Sequence, residues 1–404
     1  MLRWRAGRRI PAVRSHSSRA GAAPQATAVN IAVKTLTGWT GHEFTLFSGG
    51  GFSIGQVGPS GGAGEFTTDV RAIIGGAGYS DAGSWIRSGA LPTGFSATLR
   101  APDLAVIHPE VHPEYPGDAV YDELAPVPAG YPVAISSLEA PAAGTLSVLA
   151  PPGLRWQQGT YEDIEQDDVF GSLALTGPVE EFQPGRTYRQ SWGHPVLGPC
   201  AAAGPDWDAT WSADRLSIRQ PQICDAAGHG GTSDGATGDT VLTTGGTTVQ
   251  DSETPGTALF QIHPDGHRYH LITTAQEATL DGLSTRTTID WTVTARPGPL
   301  PLASVLFRPA LDASGATPAG AAFRIPMTIQ QIGGALVTAL TLQISYDDGG
   351  TWQPASTART TTGGWVATVT NPAAGGYASL RATATGDGTA VQETILHAYR
   401  IAAS

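Results

Sequence analysis

The chain has 404 residues, 40% of them hydrophobic, which is enough to build cores in about two to four domains and excludes a disordered protein. Its formal net charge is −12, and no cluster of Lys and Arg lies beyond the first twenty residues, which excludes nucleic acid as a partner. No apolar run approaches the roughly 20 residues of a membrane-spanning helix, so no membrane partner is expected.

Fifty-two glycines and thirty prolines against 14% charged residues predict many turns and few helices, because both residues are poor in helix interiors. The expected class is all-β, built of tandem antiparallel β-sandwich units of immunoglobulin or fibronectin type.

Residues 1–27 read as a flexible basic leader. Arg3, Arg5, Arg8, Arg9, Arg14 and Arg19 occur without acids, and no apolar export core follows Arg8-Arg9, which points to a misassigned start codon or a truncated gene. Residues 28–100 read as a small β-sandwich, opening on the alternation of Val29, Ile31 and Val33. Residues 101–298 form a β-rich middle region, with room for two sandwiches. Its proline-laden start, 101–125, is expected to run extended over a surface. Strands follow at 131–135, 144–149, 188–192, 215–218, 258–262, 269–273 and 287–294.

PGPLPL at 297–302 reads as a linker, since consecutive prolines and glycines cannot enter a ladder. A C-terminal β-sandwich at 299–404 is expected to fold alone. There Phe323, Ile325, Met327 and Ile329 alternate with polar residues, as do Leu340, Leu342, Ile344 and Tyr346. Pro326 predicts an edge strand, because a central strand would need its N–H.

SYDDGGTW at 345–352 fits the Asp-box pattern S-x-D-x-G-x-T-W, with Ser345, Asp347, Gly349, Thr351 and Trp352 in the defining places. The expected role is a structural hairpin, its loop amides bonded by Ser345 and Asp347 and Trp352 buried beneath. The same motif occurs in sialidases. A glycosidase would also need two carboxylates facing each other across a cleft, about 5–10 Å apart.

GHGGTSDG at 228–235 places His229 and Ser233 four residues apart in what reads as a flexible loop with no partner for the imidazole. A serine triad needs these groups on distinct elements. With DAG at 81–83 a poor source of a catalytic Asp, no catalytic residue is assigned. His108, Glu110, His112 and Glu114, like His263, Asp265, His267 and His270, lack the helical H-E-x-x-H spacing and read as surface loops, so no metal or cofactor site is assigned. Calcium is conceivable only at YEDIEQDD, 161–168, through its clustered carboxylates. Cys200 and Cys224 are the only cysteines. A disulfide between them would close a loop of about 24 residues and add roughly 3 kcal/mol, and two buried thiols are the alternative.

PGRTYRQSWGHPVLGP at 184–199, DRLSIRQPQICDAAGHGG at 214–231 and LSTRTTIDWTV at 283–293 resemble segments that follow the catalytic domain in actinobacterial subtilisin-like serine peptidases. FRIPMTIQQ, LTLQISYDDGGTW and YASLRATATGDGTAVQETILHAYRI, in that order, resemble their terminal domain. The resemblance covers roughly residues 100–404. It implies secretion, an extracellular location and a non-catalytic accessory region. The implied role is to stabilise the catalytic domain or present substrate, with that domain or a protein substrate as partner. The family's catalytic residues belong to another domain, so none is carried over. A binder of carbohydrate or cell-wall glycan is the rival reading, to be favoured by exposed Trp156, Trp207, Trp211 or Trp365 in a concave patch.

Overall fold

The structure is a computed structural model that describes residues 101–112, 120–127, 145–166, 169–204, 206–277 and 281–402, with the backbone of six strands between 27 and 99. It is all-β and dominated by large antiparallel sheets of sandwich type. Among the described residues the one helical element is the turn Ala101–Asp103. The expected strand at 131–135 lies outside the described residues.

The strands form because polar and apolar residues alternate along them, so each buries one face. In Arg286–Thr294 the inward residues are Thr287, Ile289, Trp291 and Val293, and in Arg268–Gln276 they are Tyr269, Leu271, Thr273 and Ala275. These two strands lie side by side in a twelve-stranded sheet, and Arg286–Thr294 pairs next with Thr389–Ala402. One core therefore joins Trp211, Ile289 and Trp291 to Val305, Phe307, Leu380 and Ile395. The indole N–H of Trp291 donates to the carbonyl of Ala303 at 2.7 Å, so the core spans the 298/299 position by a hydrogen bond as well as by packing.

PGPLPL is part of this body and not a solvated spacer. Gly298–Pro299 pairs with Thr210 and Trp211, the N–H of Leu300 donates to the carbonyl of Ala209 at 2.8 Å, and Leu300 and Leu302 are buried. Prolines fit because only two residues pair, at the margin of a four-stranded sheet.

Two further expectations are corrected. The segment expected to cross a surface contains the strand Leu104–Val111, which buries Leu104, Ala105, Ile107 and Val111 and pairs with both Thr145–Leu149 and Thr187–Trp192. Ala322–Gln331 is an interior strand, not an edge. It lies between Trp365–Thr370 and Ala303–Phe307. The latter ladder begins at Met327, and the carbonyl of Pro326 accepts the N–H of Arg308 at 2.8 Å, so the proline sits where that neighbour stops.

A seven-stranded sheet ends at Thr187–Trp192, and a five-stranded sheet has the order Ile223–Cys224, Gly230–Ser233, Val169–Glu180, Arg155–Gln166, Val120–Val127. Parts of these two sheets and the end of the strand Ala322–Gln331 bound a cavity.

Candidate functional site

The SYDDGGTW hairpin is a closed hydrogen-bonded turn. Buried Ser345 donates its hydroxyl to Asp347 Oδ1 at 2.7 Å and accepts the N–H of Gly349 at 2.9 Å. Thr351 donates its N–H to Asp347 Oδ1 at 2.8 Å and its hydroxyl to Oδ2 at 2.7 Å. The Ser345 and Thr351 bonds hold the Asp347 carboxyl below its ordinary pKa. Both of its oxygens are engaged within the turn. Gly349, at φ +83°, supplies the left-handed backbone that the reversal needs. Trp352 was expected to be buried. It is half-exposed, and the Arg381 guanidinium covers its ring at 3.9 Å, so a cation replaces a core on one face.

Cys200 and Cys224 are joined in a disulfide, Cα to Cα 5.8 Å, and both are buried. Beside the bridge, Gly198 and Cys224 exchange backbone hydrogen bonds of 3.0 and 2.6 Å. The segment 193–200 is thereby fixed against the turn that begins at Asp225.

That turn carries the most organised polar cluster. Asp225 is fully buried and its carboxyl collects five N–H donors. Oδ1 accepts the backbone N–H of Ala227, Gly228 and His229 at 2.9, 2.8 and 2.9 Å. Oδ2 accepts the N–H of Gly193 at 3.0 Å and lies 2.7 Å from His229 Nδ1. In the neutral imidazole a carboxyl in that place makes Nδ1 the donor, which leaves the lone pair on Nε2. The imidazole stacks on Trp192 at 3.7 Å and 16°. The expectation of an unpartnered imidazole is thus corrected, as is that of a flexible loop. Gly230–Ser233 is a strand paired with Val169–Glu180. Glycine is needed there, because a Cβ on Gly231 would stand 2.0 Å from the Ala174 carbonyl oxygen.

Ser233 does not join His229. Its side chain is buried, its N–H donates to Gln222 Oε1 at 3.2 Å, and its hydroxyl faces Glu277. Burial pushes the Glu277 carboxyl up to about 7, with the nearby Ser233 hydroxyl opposing.

His229 instead lines a cavity of about 790 Å³ between the two sheet ends and Gln330 and Gln331. The volume lies within the range of about 300–1,000 Å³ usual for small-molecule sites. Gly177 leaves the space before the imidazole, since a Cβ there would lie 3.4 Å from His229 Cδ2 and 2.9 Å from Trp192. The charged side chains balance: Arg155 and Arg189 against Glu180 and Asp206. Gln157 Nε2 donates to Asp206 Oδ2 at 3.1 Å. Of the four tryptophans considered for a sugar platform, Trp156 and Trp211 are core residues, 1% and 0% exposed. Trp365 is half-buried under Arg359, 5.2 Å from its ring centre. Trp207 is half-buried and lines the cavity.

The other polar motifs stay apart from it. His108 and Glu110 lie on the strand Leu104–Val111 and not in a loop. His112 packs edge-on to His194 with ring centres 4.9 Å apart, and burial, then His194, hold its imidazole below the ordinary pKa. Glu114 lies outside the described residues. Asp265 bonds His267 and Tyr269 at the surface, which takes its carboxyl down to about 2, while His270 turns to Asp290 and His263 to the Ala213 carbonyl. YEDIEQDD is described as far as Gln166. It belongs to the strand Arg155–Gln166, which buries Glu162 and exposes Asp163, so neighbouring carboxylates face opposite ways. Asp81 lies on the strand Tyr79–Gly89, with its side chain outside the described ones. Among the described residues no three of His, Cys, Asp and Glu are grouped to hold a metal ion.

The sequence did carry a sign of the dyad. In DAAGH the Asp and His stand four apart around a glycine, Gly228, which takes φ +96° and lets the chain return the imidazole to the carboxyl. No protein-family model matches the chain, and a search of curated proteins found no match.

Proposed function

We infer that the chain is an accessory, ligand-holding β-region of a secreted subtilisin-like serine peptidase, and not itself the peptidase. The observation that carries this is the divergence of Ser233 and His229. The imidazole is oriented by Asp225 towards a roomy cavity, whereas the hydroxyl is buried against Glu277. Acyl transfer needs the serine within hydrogen-bond reach of the base, with donors placed for the oxyanion. An oriented acceptor in a preformed cavity suits holding a ligand instead. The resemblance of the segments at 184–199, 214–231 and 283–293 supports the assignment to that family. The Cys200–Cys224 bridge suits an oxidising, extracellular setting.

The test is chemical. The purified chain is expected to leave casein intact and to take no label from a fluorophosphonate probe. A subtilisin-like catalytic domain, inactivated at its serine, is expected to co-elute with it. Stoichiometric labelling at Ser233 that vanishes in Ser233→Ala would overturn the reading and make the chain an enzyme.

A further inference from the structure

The geometry points to a neutral, polyhydroxylated ligand, an uncharged saccharide, as the occupant of the His229 cavity. This rests on the holding role given to that cavity above and adds what it holds. Three observations select the ligand class.

The first is the acceptor. Asp225 fixes the tautomer of the neutral ring, in which Nε2 of His229 offers a lone pair, and the stack on Trp192 keeps the ring from turning away. A hydroxyl group donates to such an atom. A carboxylate has no proton to give it.

The second is the charge balance. Two arginines oppose two carboxyl groups, and Asp206 is already engaged by Gln157. Neither sign is in excess, so nothing in the lining rewards a charged ligand.

The third is the amide content. Five glutamines line the cavity: Gln157, Gln158, Gln190, Gln330 and Gln331. Part of this capacity is spent inside the protein: Gln157 Nε2 donates to Asp206, Gln190 Nε2 to Glu180 and Gln330 Nε2 to the Gly228 carbonyl, while Gln331 Oε1 accepts the N–H of Val337. Each amide is both donor and acceptor, as is each sugar hydroxyl, and the amide atoms that these bonds do not use are the ones a sugar hydroxyl can meet. Trp207, half-buried at the wall, offers an indole surface for the apolar C–H face of a pyranose. An extended peptide would use the amides too, but it presents its donors from the main chain along a strand, and a hexapeptide probe separates the two.

The experiment is titration calorimetry with the whole chain at pH 7.5, using chitotetraose, cellotetraose, xylotetraose and an uncharged hexapeptide as probes. One of the saccharides is expected to bind saturably at one site and the hexapeptide not to bind. His229→Asn moves the acceptor out of reach and is expected to weaken binding by at least about tenfold, the size of one lost hydrogen bond. His229→Gln, whose amide oxygen can take the place of Nε2, is expected to recover most of it. Trp207→Ala, at the wall and away from the core, is expected to weaken binding with an unchanged unfolding midpoint.

Absence of binding by all three saccharides overturns the inference. So does saccharide binding indifferent to His229→Asn and Trp207→Ala, which would place the site elsewhere. Binding of the hexapeptide alone overturns it too, while leaving the accessory role intact. Failure of that role is read separately, by labelling at Ser233.

Discussion

Glu393 offers a direct test of the core. It lies on the central strand Thr389–Ala402, 1% exposed, and its Oε2 accepts the N–H of Val305 at 3.0 Å. Burial pushes its carboxyl from 4.5 to about 8, with the Val305 bond opposing. Between these values the folded chain keeps a proton that the unfolded chain has released, so stability falls as pH rises from about 4.5 through about 8. Each pH unit across the window costs about 1.4 kcal/mol, and the whole span about 5 kcal/mol. Glu277, pushed up to about 7 by burial, adds a loss of about 3 kcal/mol from about pH 4.5 to 7. Glu393→Gln keeps an oxygen for Val305 and carries no charge. Urea unfolding at pH 5, 6, 7 and 8 should show the variant gaining on the wild type with each step, by several kcal/mol at pH 8. Parallel stability curves for the two proteins would refute the reasoning, because they would mean that Glu393 titrates alike folded and unfolded.

The remaining predictions concern single contacts. Gly231→Ala drives a Cβ into the Ala174 carbonyl and should cost at least about 2 kcal/mol, read as a lower chemical unfolding midpoint. Trp352→Ala should cost about 1–2 kcal/mol, less than the 3–5 kcal/mol of a core tryptophan, because one face packs only on Arg381. Intact mass before and after reduction should differ by about 2 Da, and alkylation of both thiols without reductant would exclude the Cys200–Cys224 bridge. A fragment starting at residue 299 loses Arg286–Thr294 and the Trp291 side of the core. It should aggregate or give a disordered far-ultraviolet spectrum, whereas a fragment of residues 196–404 should unfold cooperatively.

Period-two alternation made most strands from 187 onward legible, because an antiparallel strand with one buried face leaves that pattern whatever its neighbours. Proline misled where its meaning depends on the partner strand. Pro109 lies inside a paired strand, Pro299 inside a two-residue ladder, and Pro326 where a neighbour ends. None of this is written locally. The bonds of Ser345, Asp347 and Thr351 in the SYDDGGTW turn were legible because they fall within seven residues, whereas the half-exposure of Trp352 was not, because Arg381 comes from the strand Gly376–Gly386. The Asp225–His229 dyad was half legible. Its spacing is local, but Gly193 and Trp192 arrive from another sheet, and the cavity arises only when Gln330 and Gln331 close one side.

The strand Thr389–Ala402 is paired on both long sides, with Arg286–Thr294 and with Gly376–Gly386, and Trp291 faces Val391 one hundred positions later. The great sheet is therefore assembled from the inside last. During synthesis Arg286–Thr294 waits with an open edge until its neighbour has left the ribosome, and long-range pairing of this kind folds slowly. A premature stop a dozen codons before residue 402 would remove a middle plank, not a fringe, and leave two hydrophobic edges to find partners on other molecules.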